Sequence, residues 1–587
     1  MLEFGLHTYF EDRDYVIHNG PISLNTSSDS TLAFAADCIR KCEETHTKCT
    51  RYSPENWKPS RLIDLGPLDE PVQPKLILTE SAKEPISYAT LSHRWGSAKM
   101  FQLTSENIDS LQQQIPLAEM SKTFQDAFIA CKKLGMRFIW IDCLCIIQDQ
   151  LDDWQKEAER MKDIYSCGRF NISATGADQR DDGLFFERER LALSPFILNF
   201  DATHDSESWK AGSYFLLNPL MWASDISKAA LNQRGWVLQE RVLARRILHF
   251  GRNQVFFECH EIDACETFPN GLPDTEIFRN RALGAPSNGR FKRLDPELDG
   301  GWLRETKSMQ RLKSHPDLNI FSIWGELVET YSSLNLTKWE DKLVAFSGIA
   351  KMMRQILGDD DYLAGLWRRQ LPYHMLWSRR KDGGLITEPM IYIAPSWSWA
   401  SVQAPVTLQP ITDGKNEDIL IDIIEAETYT QGEDVTGAVF GGFIKLRGFL
   451  RLAECAVWIN DPQSLRTERM ETCLAMKPKG RPADIIVWPD ETDQFGPETS
   501  MRAKVFCLPI QIWRNDKGDR CTEGLILEKL DFDRDTFKRM GKFKISVGSK
   551  RGEAEFYTVS DEEWMTKPPR KLLSALIMFE ERVITII

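Results

Sequence analysis

A tryptophan and a glutamate three residues apart, Trp154 and Glu157, follow an apolar run that ends on an acid, Asp142. They lie in RFIWIDCLCIIQDQLDDWQKEAERMKDIYS, residues 137–166, where Trp154, Ala158, Met161 and Tyr165 recur at helical spacing. At about 100° per residue, Glu157 falls between Met161 and Ile164, inside the apolar sector. Lys156, Glu159, Lys162 and Asp163 fall outside it. A carboxylate on the buried side of a helix acts strongly on nearby positive charge, because little water screens it, and burial raises its pKa. A glutamate flanking an apolar face more often reaches solvent or pairs with arginine. The helix pattern leaves both roles open.

Three other groups carry chemistry. In ISYATLSHRWGSAK, Ser92 and Arg94 stand in the loop that leaves an apolar run, as Asp142 stands at the end of another, with Gly96 marking the turn. Glu240 and Arg241 in GWVLQERVL are acid and base side by side, of catalytic type, although mutual pairing is the commoner fate of such residues. Cys38, Cys42, His46 and Cys49 are zinc-ligand types, and Cys42 and His46 share a helix face. Structural zinc usually draws its ligands from two separated knuckles, and that arrangement is absent here. Packing of a helix end is therefore expected, and no metal ligand is assigned.

The elements that position these residues follow from pattern. Ile86–Leu91 reads as a strand, and PLAEMSKTFQDAFIACKKLG as a helix. That helix has Lys132 and Lys133 suited to its C-terminal dipole and Gly135 past its end. Residues 138–142 read as a strand with no polar alternation, 151–166 as a helix, and Phe170–Ala174 as a third strand. The βαβα order predicts a parallel sheet with right-handed crossovers, whose ligands sit at the carboxyl ends of the strands. Upstream, Leu32, Ala35, Ala36, Ile39 and Cys42 define one face of a helix, and RLIDLG and KLILTE read as a β-hairpin or edge element. Downstream, residues 178–230 read as irregular, Trp236–Leu243 as a short helix, and 247–257 as a hairpin. Helices are expected from 320 to 356, with Thr337 and Glu340 as a capping box, and another helix over DYLAGLWRRQLPYHMLW. Gly-punctuated runs of β-formers follow.

Composition narrows the classes. A net charge of −13 argues against non-specific nucleic-acid binding. No run of 18 apolar residues suggests a membrane span, and MLEFGLHTYFEDRDY lacks the regions of a secretory signal. Thirteen cysteines, an odd number, read as reduced thiols and point to a cytoplasmic chain. GxGxxG, GxxxxGK[ST], HExxH and GxSxG are all missing, which removes the main support for dehydrogenase, P-loop, zincin and α/β-hydrolase readings.

Three blocks together resemble the fungal heterokaryon incompatibility (HET) domain: YATLSHRWG (88–96), WIDCLCIIQDQLDDWQKEAERMKDIYSCG (140–168) and RGWVLQERVLARRILHFGRNQVFFEC (234–259). They match its Y-x-x-L-S-x-x-W-G, its W-I-D-x-L-C-I-x-Q-D with D-W-x-x-E and M-x-x-I-Y, and its R-G-W-x-x-Q-E with E-C. Positions 93–94 are His-Arg where many members carry Tyr-Cys. DKLVAFSGIA, YLAGLWRRQL and APSWSWASV look like segments that commonly follow the domain. The resemblance implies fungal non-self recognition and regulated cell death. The HET domain has also been likened to TIR domains, flavodoxin-like modules of which many cleave NAD at the nicotinamide–ribose bond with one glutamate. Carried over, that likeness puts the catalytic residue at Glu157. Ser92, Arg94, Trp95, Asp142 and Trp154 would then line an NAD site.

The expected architecture is α/β. A TIR/flavodoxin-like parallel sheet with flanking helices (81–265) follows an N-terminal lead-in (1–80). A linker or long loop (266–315), a helical region (316–394) and a mainly β region (395–587) come after it. Two functional expectations stand side by side. One is an NAD glycohydrolase that needs no cofactor, with NAD as substrate. The other is a non-catalytic death-signalling module that works through self-association and an incompatibility partner protein.

Overall fold

A computed structural model describes residues 5–8, 23–49, 57–82, 84–95, 101–179, 181–188, 196–200, 212–217, 221–272, 316–358, 360–380, 391–408, 418–459, 470–475, 486–490, 503–514, 520–531, 534–545 and 580–587. Gly96 and residues 273–315 of the expected linker (266–315) lie outside the described residues, while Glu266, Thr267 and Phe268 at its start are buried in the first unit and are not linker. The chain divides into two compact units, Met1–Leu294 and Asp295–Ile587.

The strands of the first unit are β1 (Gly5–Thr8), β2 (Arg61–Asp64), β3 (Lys75–Leu78), β4 (Tyr88–Ser92), β5 (Phe138–Trp140), β6 (Phe170–Ser173), β7 (Phe196–Phe200), β8 (Gly212–Leu217), β9 (Arg246–Phe250), β10 (Val255–Cys259) and β11 (Asp263–Cys265). Among the described residues its α-helices are α1 (Asp29–Thr45), α2 (Ile108–Gln113), α3 (Lys122–Lys133), α4 (Asp142–Cys145), α5 (Leu151–Cys167) and α6 (Gly235–Leu243). Eight strands form one sheet in the order β11-β10-β9-β6-β4-β5-β2-β3. Its centre is parallel, with β4 between β5 and β6 and with β9 beside β6. Both flanks are antiparallel hairpins, β2/β3 and β9/β10/β11. The sheet is therefore mixed, with the expected parallel core.

Each central element forms for a local reason. Every residue of β4 and β6 is buried, as an apolar run covered on both faces requires. Ser121 caps α3 by accepting from the Phe124 N–H. Gly135 closes that helix at φ +76, a left-handed conformation that costs glycine little. The Tyr88 hydroxyl donates to the Ile164 carbonyl at 2.7 Å, and Trp140 meets Tyr165 edge-on at 5.8 Å. These contacts fix α5 over β4 and β5.

Several expectations need correction. Asp142 does not end a strand; it opens the short helix α4, and its carboxylate accepts the Cys143 N–H at 2.7 Å. On α1, Cys38 is buried and Ala36 is exposed, so the apolar face is turned slightly from the expected one. Residues 178–230 contain the antiparallel pair β7/β8, joined at its edge by β1.

The second unit opens with helices Pro316–Ser332 and Val344–Ile356. The latter starts beyond Thr337 and Glu340, so they form no capping box; both are exposed, and burial resumes at Lys342. DYLAGLWRRQLPYHMLW is not one helix: Tyr362–Leu363 and Leu366–Trp367 pair as a hairpin about Ala364 (φ +44) and Gly365 (φ +98). Two positive φ angles make the two-residue turn that hairpins favour. The rest is mainly β, with a nine-stranded, largely antiparallel sheet built from segments between Asp418 and Ile586. Its companion core is aromatic, with Trp324 tilted against Phe346 and edge-on to Trp367.

The Gly365 carbonyl accepts the indole N–H groups of both Trp324 (3.2 Å) and Trp399 (2.9 Å). A Cβ there would lie 2.5 Å from Trp399 Nε1. Gly365→Ala should therefore destabilise this unit by on the order of 2–4 kcal/mol, from backbone strain and overpacking together. The urea midpoint followed by tryptophan fluorescence checks this, and an unchanged midpoint would contradict it.

Candidate active site

Polar side chains converge where β4 and β6 end. Thr90 and Asn171 are register partners across the parallel pair, as are Ser92 and Ser173. The Thr90 hydroxyl donates to Asn171 Oδ1, Asn171 Nδ2 donates to Ser92 Oγ, and Ser92 donates to Glu240 Oε2, at 2.9, 2.9 and 2.5 Å. Tyr165 of α5 also bonds Glu240, which lies on α6 and is only 5% exposed. Burial first, and then the nearby Asp142 carboxylate, push the Glu240 carboxyl from its ordinary 4.5 up to about 7.

Above this buried floor lies a more open rim. Asp142, with 23% of its side chain exposed, accepts the Trp95 indole N–H at 2.8 Å. Its other oxygen lies 3.7 Å from Nδ1 of the buried His93, whose pKa burial lowers. Arg234 donates to the His93 carbonyl and holds this loop to the start of α6. The structure thus brings Ser92, Trp95 and Asp142 into one neighbourhood. Arg94 turns away and donates to the Asp178 carbonyl. Trp154 packs edge-on against Trp236 at 6.0 Å, where α5 meets α6.

Glu157 has different neighbours. It lies on the buried face of α5 and is 0% exposed, in keeping with the periodicity. Its Oε1 accepts from Ser60 Oγ at 2.6 Å and Arg160 Nη1 at 3.2 Å, with Arg61 Nη2 at 3.9 Å. Arg61 also clamps Asp153 through both carboxylate oxygens. Among the described residues, Glu157 Oε2 has no hydrogen-bond partner. This glutamate anchors α5 to the start of β2 through a buried ion-pair cluster.

Sequence reasoning named Glu240 without choosing it, and did not single out Asn171 or Tyr165. Asn171 left a usable signal: an amide in the four-residue strand FNIS, buried at every position, must find a partner inside. A second buried chain runs alongside. Thr175 Oγ1 lies 3.1 Å from His249 Nδ1, His249 Nε2 lies 2.9 Å from Glu258, and Arg241 donates to Glu258 at 2.8 Å. Successive residues of α6, Glu240 and Arg241, therefore serve two separate networks.

Among the described residues, two groups have the donor atoms for a cation. His93, Asp142 and Cys143 cluster at the rim, where Asp142 is already shared by Trp95 and the Cys143 N–H. Cys42, His46, Cys49 and Cys259 cluster at the end of β10, while Cys38, near them in sequence, packs in the core instead.

A mixed sheet whose strand ends hold a buried acid defines an α/β domain with a polar site at the strand termini. Residues 88–240 match the family described as "Heterokaryon incompatibility protein (HET)", so the chain carries a heterokaryon incompatibility domain. Such a domain implies a role in heterokaryon incompatibility and cell death. No curated protein and no solved structure matches the chain. Among the described residues, no helix is long and apolar enough to cross a membrane.

Because Glu240 keeps its proton up to about 7 in the fold and loses it near 4.5 when unfolded, the native state binds the extra proton between these values. Its contribution to stability is therefore full below 4.5 and lost as pH rises through about 7. Each tenfold difference in proton affinity between the two states is worth about 1.4 kcal/mol. His93, depressed by burial, acts in the opposite sense below its ordinary 6.5, so the diagnostic is a difference between two proteins. Thermal midpoints measured across this range should fall more steeply with rising pH for the native chain than for Glu240→Gln. Equal slopes would rule out a shifted Glu240.

Proposed function

We propose that this chain is an effector of regulated cell death whose HET domain hydrolyses NAD at the nicotinamide–ribose bond, with the strand-end cluster as the reaction centre. The observation that carries the reading is Glu240: a buried carboxyl raised to about 7, flanked by Ser92, Tyr165 and Asp142 at the carboxyl ends of parallel strands. That is where open α/β sheets bind ligands. The likeness to TIR domains supplies the substrate class.

The chemistry suits these groups. Water forms a bond to ribose C1′ as the C1′–N bond breaks, and the bond's electron pair neutralises the pyridinium, so nicotinamide leaves uncharged. The proton from water passes to the Glu240 carboxylate and then to solvent. The transition state is oxocarbenium-like, and a carboxylate in a poorly screened site stabilises it, as in glycosidases. Trp95 offers an aromatic face for a base, and Asp142 orients that indole while facing the open rim. No cofactor takes part. In this reading, self-association on meeting an incompatibility partner protein switches the domain on.

A second reading has its own support. Glu157, the position indicated by W-x-x-E, is fully buried and held by Ser60 and Arg160, which suits a signalling module whose motifs maintain the fold. NAD consumption by purified, concentrated protein separates the two. Native chain and Glu159→Gln should consume NAD, and folded Glu240→Gln should lose on the order of a hundredfold or more. Loss confined to Glu157→Gln would move the reaction centre to Glu157. An assembled native chain that leaves NAD intact would favour the signalling module.

A further inference from the structure

Four side chains from two distant parts of the chain meet at one edge of the first unit. Cys42 ends the buried face of α1, and His46 follows as its C-cap. Cys49 closes the single turn Thr47–Cys49, and Cys259 is the last residue of β10. One ligand atom from each lies within 4.8 Å of all the others, and Cys259 Sγ lies 3.4 Å from His46 Nδ1. The three cysteines are fully buried. Ligands at zinc–sulfur and zinc–nitrogen bond lengths of a tetrahedral site stand about 3.3–3.8 Å apart. A small contraction of this group meets that requirement.

The surroundings of the sulfurs separate this cluster from ordinary cysteine packing. Cys259 Sγ accepts the backbone N–H groups of Glu261 and Ile262, both at 3.4 Å. The His260 N–H points to Cys49, and Arg246 Nε donates to Cys42 Sγ at 3.0 Å. Donors aimed at sulfur stabilise thiolate, and buried thiolates require a compensating positive charge. The residues 259–262 make a knuckle in which a cysteine at a strand end receives the amides that follow it. Three thiolates and a dication leave one negative charge, which the buried Arg246 guanidinium offsets.

We propose that Cys42, His46, Cys49 and Cys259 form a structural zinc site that clasps the end of α1 to the end of β10. A donor set of three sulfurs and one imidazole nitrogen in closed, tetrahedral reach favours zinc over hard cations, which select oxygen. A disulfide would consume two of the three sulfurs and leave the third beside its donors without a role. Residues 42–49 precede the matched span 88–240 and Cys259 follows it, so the metal would fasten the segments on either side of the family core. The missing second knuckle in the N-terminal sequence is supplied by β10, more than 200 residues away.

Metal analysis of the full chain, purified without chelator, should find about one zinc per chain. Exchange with Co2+ should give the intense visible bands and sulfur-to-metal charge transfer of tetrahedral thiolate ligation. Cys259→Ser and Cys49→Ser should reduce bound metal at least tenfold, whereas Cys38→Ala, which alters a neighbouring core cysteine, should retain it. Should the ligand variants fail to fold, the cobalt spectrum of the native chain still decides. A native chain without zinc that gives no thiolate spectrum with Co2+ would overturn the site. So would a Cys42–Cys49 or Cys259 disulfide in the intact mass, or equal metal loss in Cys38→Ala.

Discussion

Taking a charged group out of water costs several kcal/mol unless the fold returns equivalent partners. The first unit meets that cost repeatedly around one sheet. Glu240 receives Ser92 and Tyr165, Glu157 receives Ser60 and Arg160, and Glu258 lies between His249 and Arg241. Glu266 is held by both guanidinium nitrogens of the buried Arg188 and by Thr31 of α1. None of these acids can be placed correctly unless several strands and helices are in register at once. The polar interior therefore specifies the arrangement that the apolar core only makes compact. The second unit shows the same constraint with a cation: Lys342, lowered to about 7 by burial, donates to the Val402 carbonyl beside the rings of Trp339 and Trp399.

Helix α6 is where these demands meet. It is nine residues long and buries Gln239 and Glu240 on the side of α5, while Arg241 reaches Glu258 on β10. Its start is tied to the loop after β4 through Arg234 and His93. Moving α6 would strip Ser92 of its acceptor and Glu258 of its cation together. Such coupling gives a reason for the acid at position 240 to be held rigidly and poorly hydrated, which is the condition under which a carboxyl keeps a proton near neutrality.

Local pattern sufficed for the elements whose reasons are local. The β4–α3–β5–α5–β6 succession, the glycine after α3 and the inward side of Glu157 all follow from periodicity and terminal residues. What pattern could not supply was partnership. The residues RLIDLG read correctly as half of a hairpin, yet nothing local says that β2 also joins β5 or that Ser60 and Arg61 receive Glu157. Glu240 was ambiguous for the same reason: its pKa depends first on burial and then on Asp142, Ser92 and Tyr165, all distant in sequence. The cysteines near residue 42 looked incomplete because their fourth partner is Cys259. In DYLAGLWRRQL, helix-forming leucines mask the Ala-Gly turn, whose Gly365 carbonyl is held by Trp324 and Trp399 from distant parts of the chain.

The stretch that matches the family, residues 88–240, is smaller than the structure on which its own polar residues rely. It contains β4, β5 and β6, but the sheet continues through β2 and β3 before it and through β9, β10 and β11 after it. Glu157 and Asp153 lie inside the matched stretch, while Ser60 and Arg61 lie outside; Arg241 and its partner Glu258 both follow it. Cut at the matched boundaries, β5 would lose its antiparallel neighbour and Glu157 would lose two of its three polar contacts. The physical unit is therefore the whole eight-stranded sheet with α1 laid against β10. A buried acid becomes chemically useful only inside that larger frame, because the frame, and not the motif, keeps water away from it.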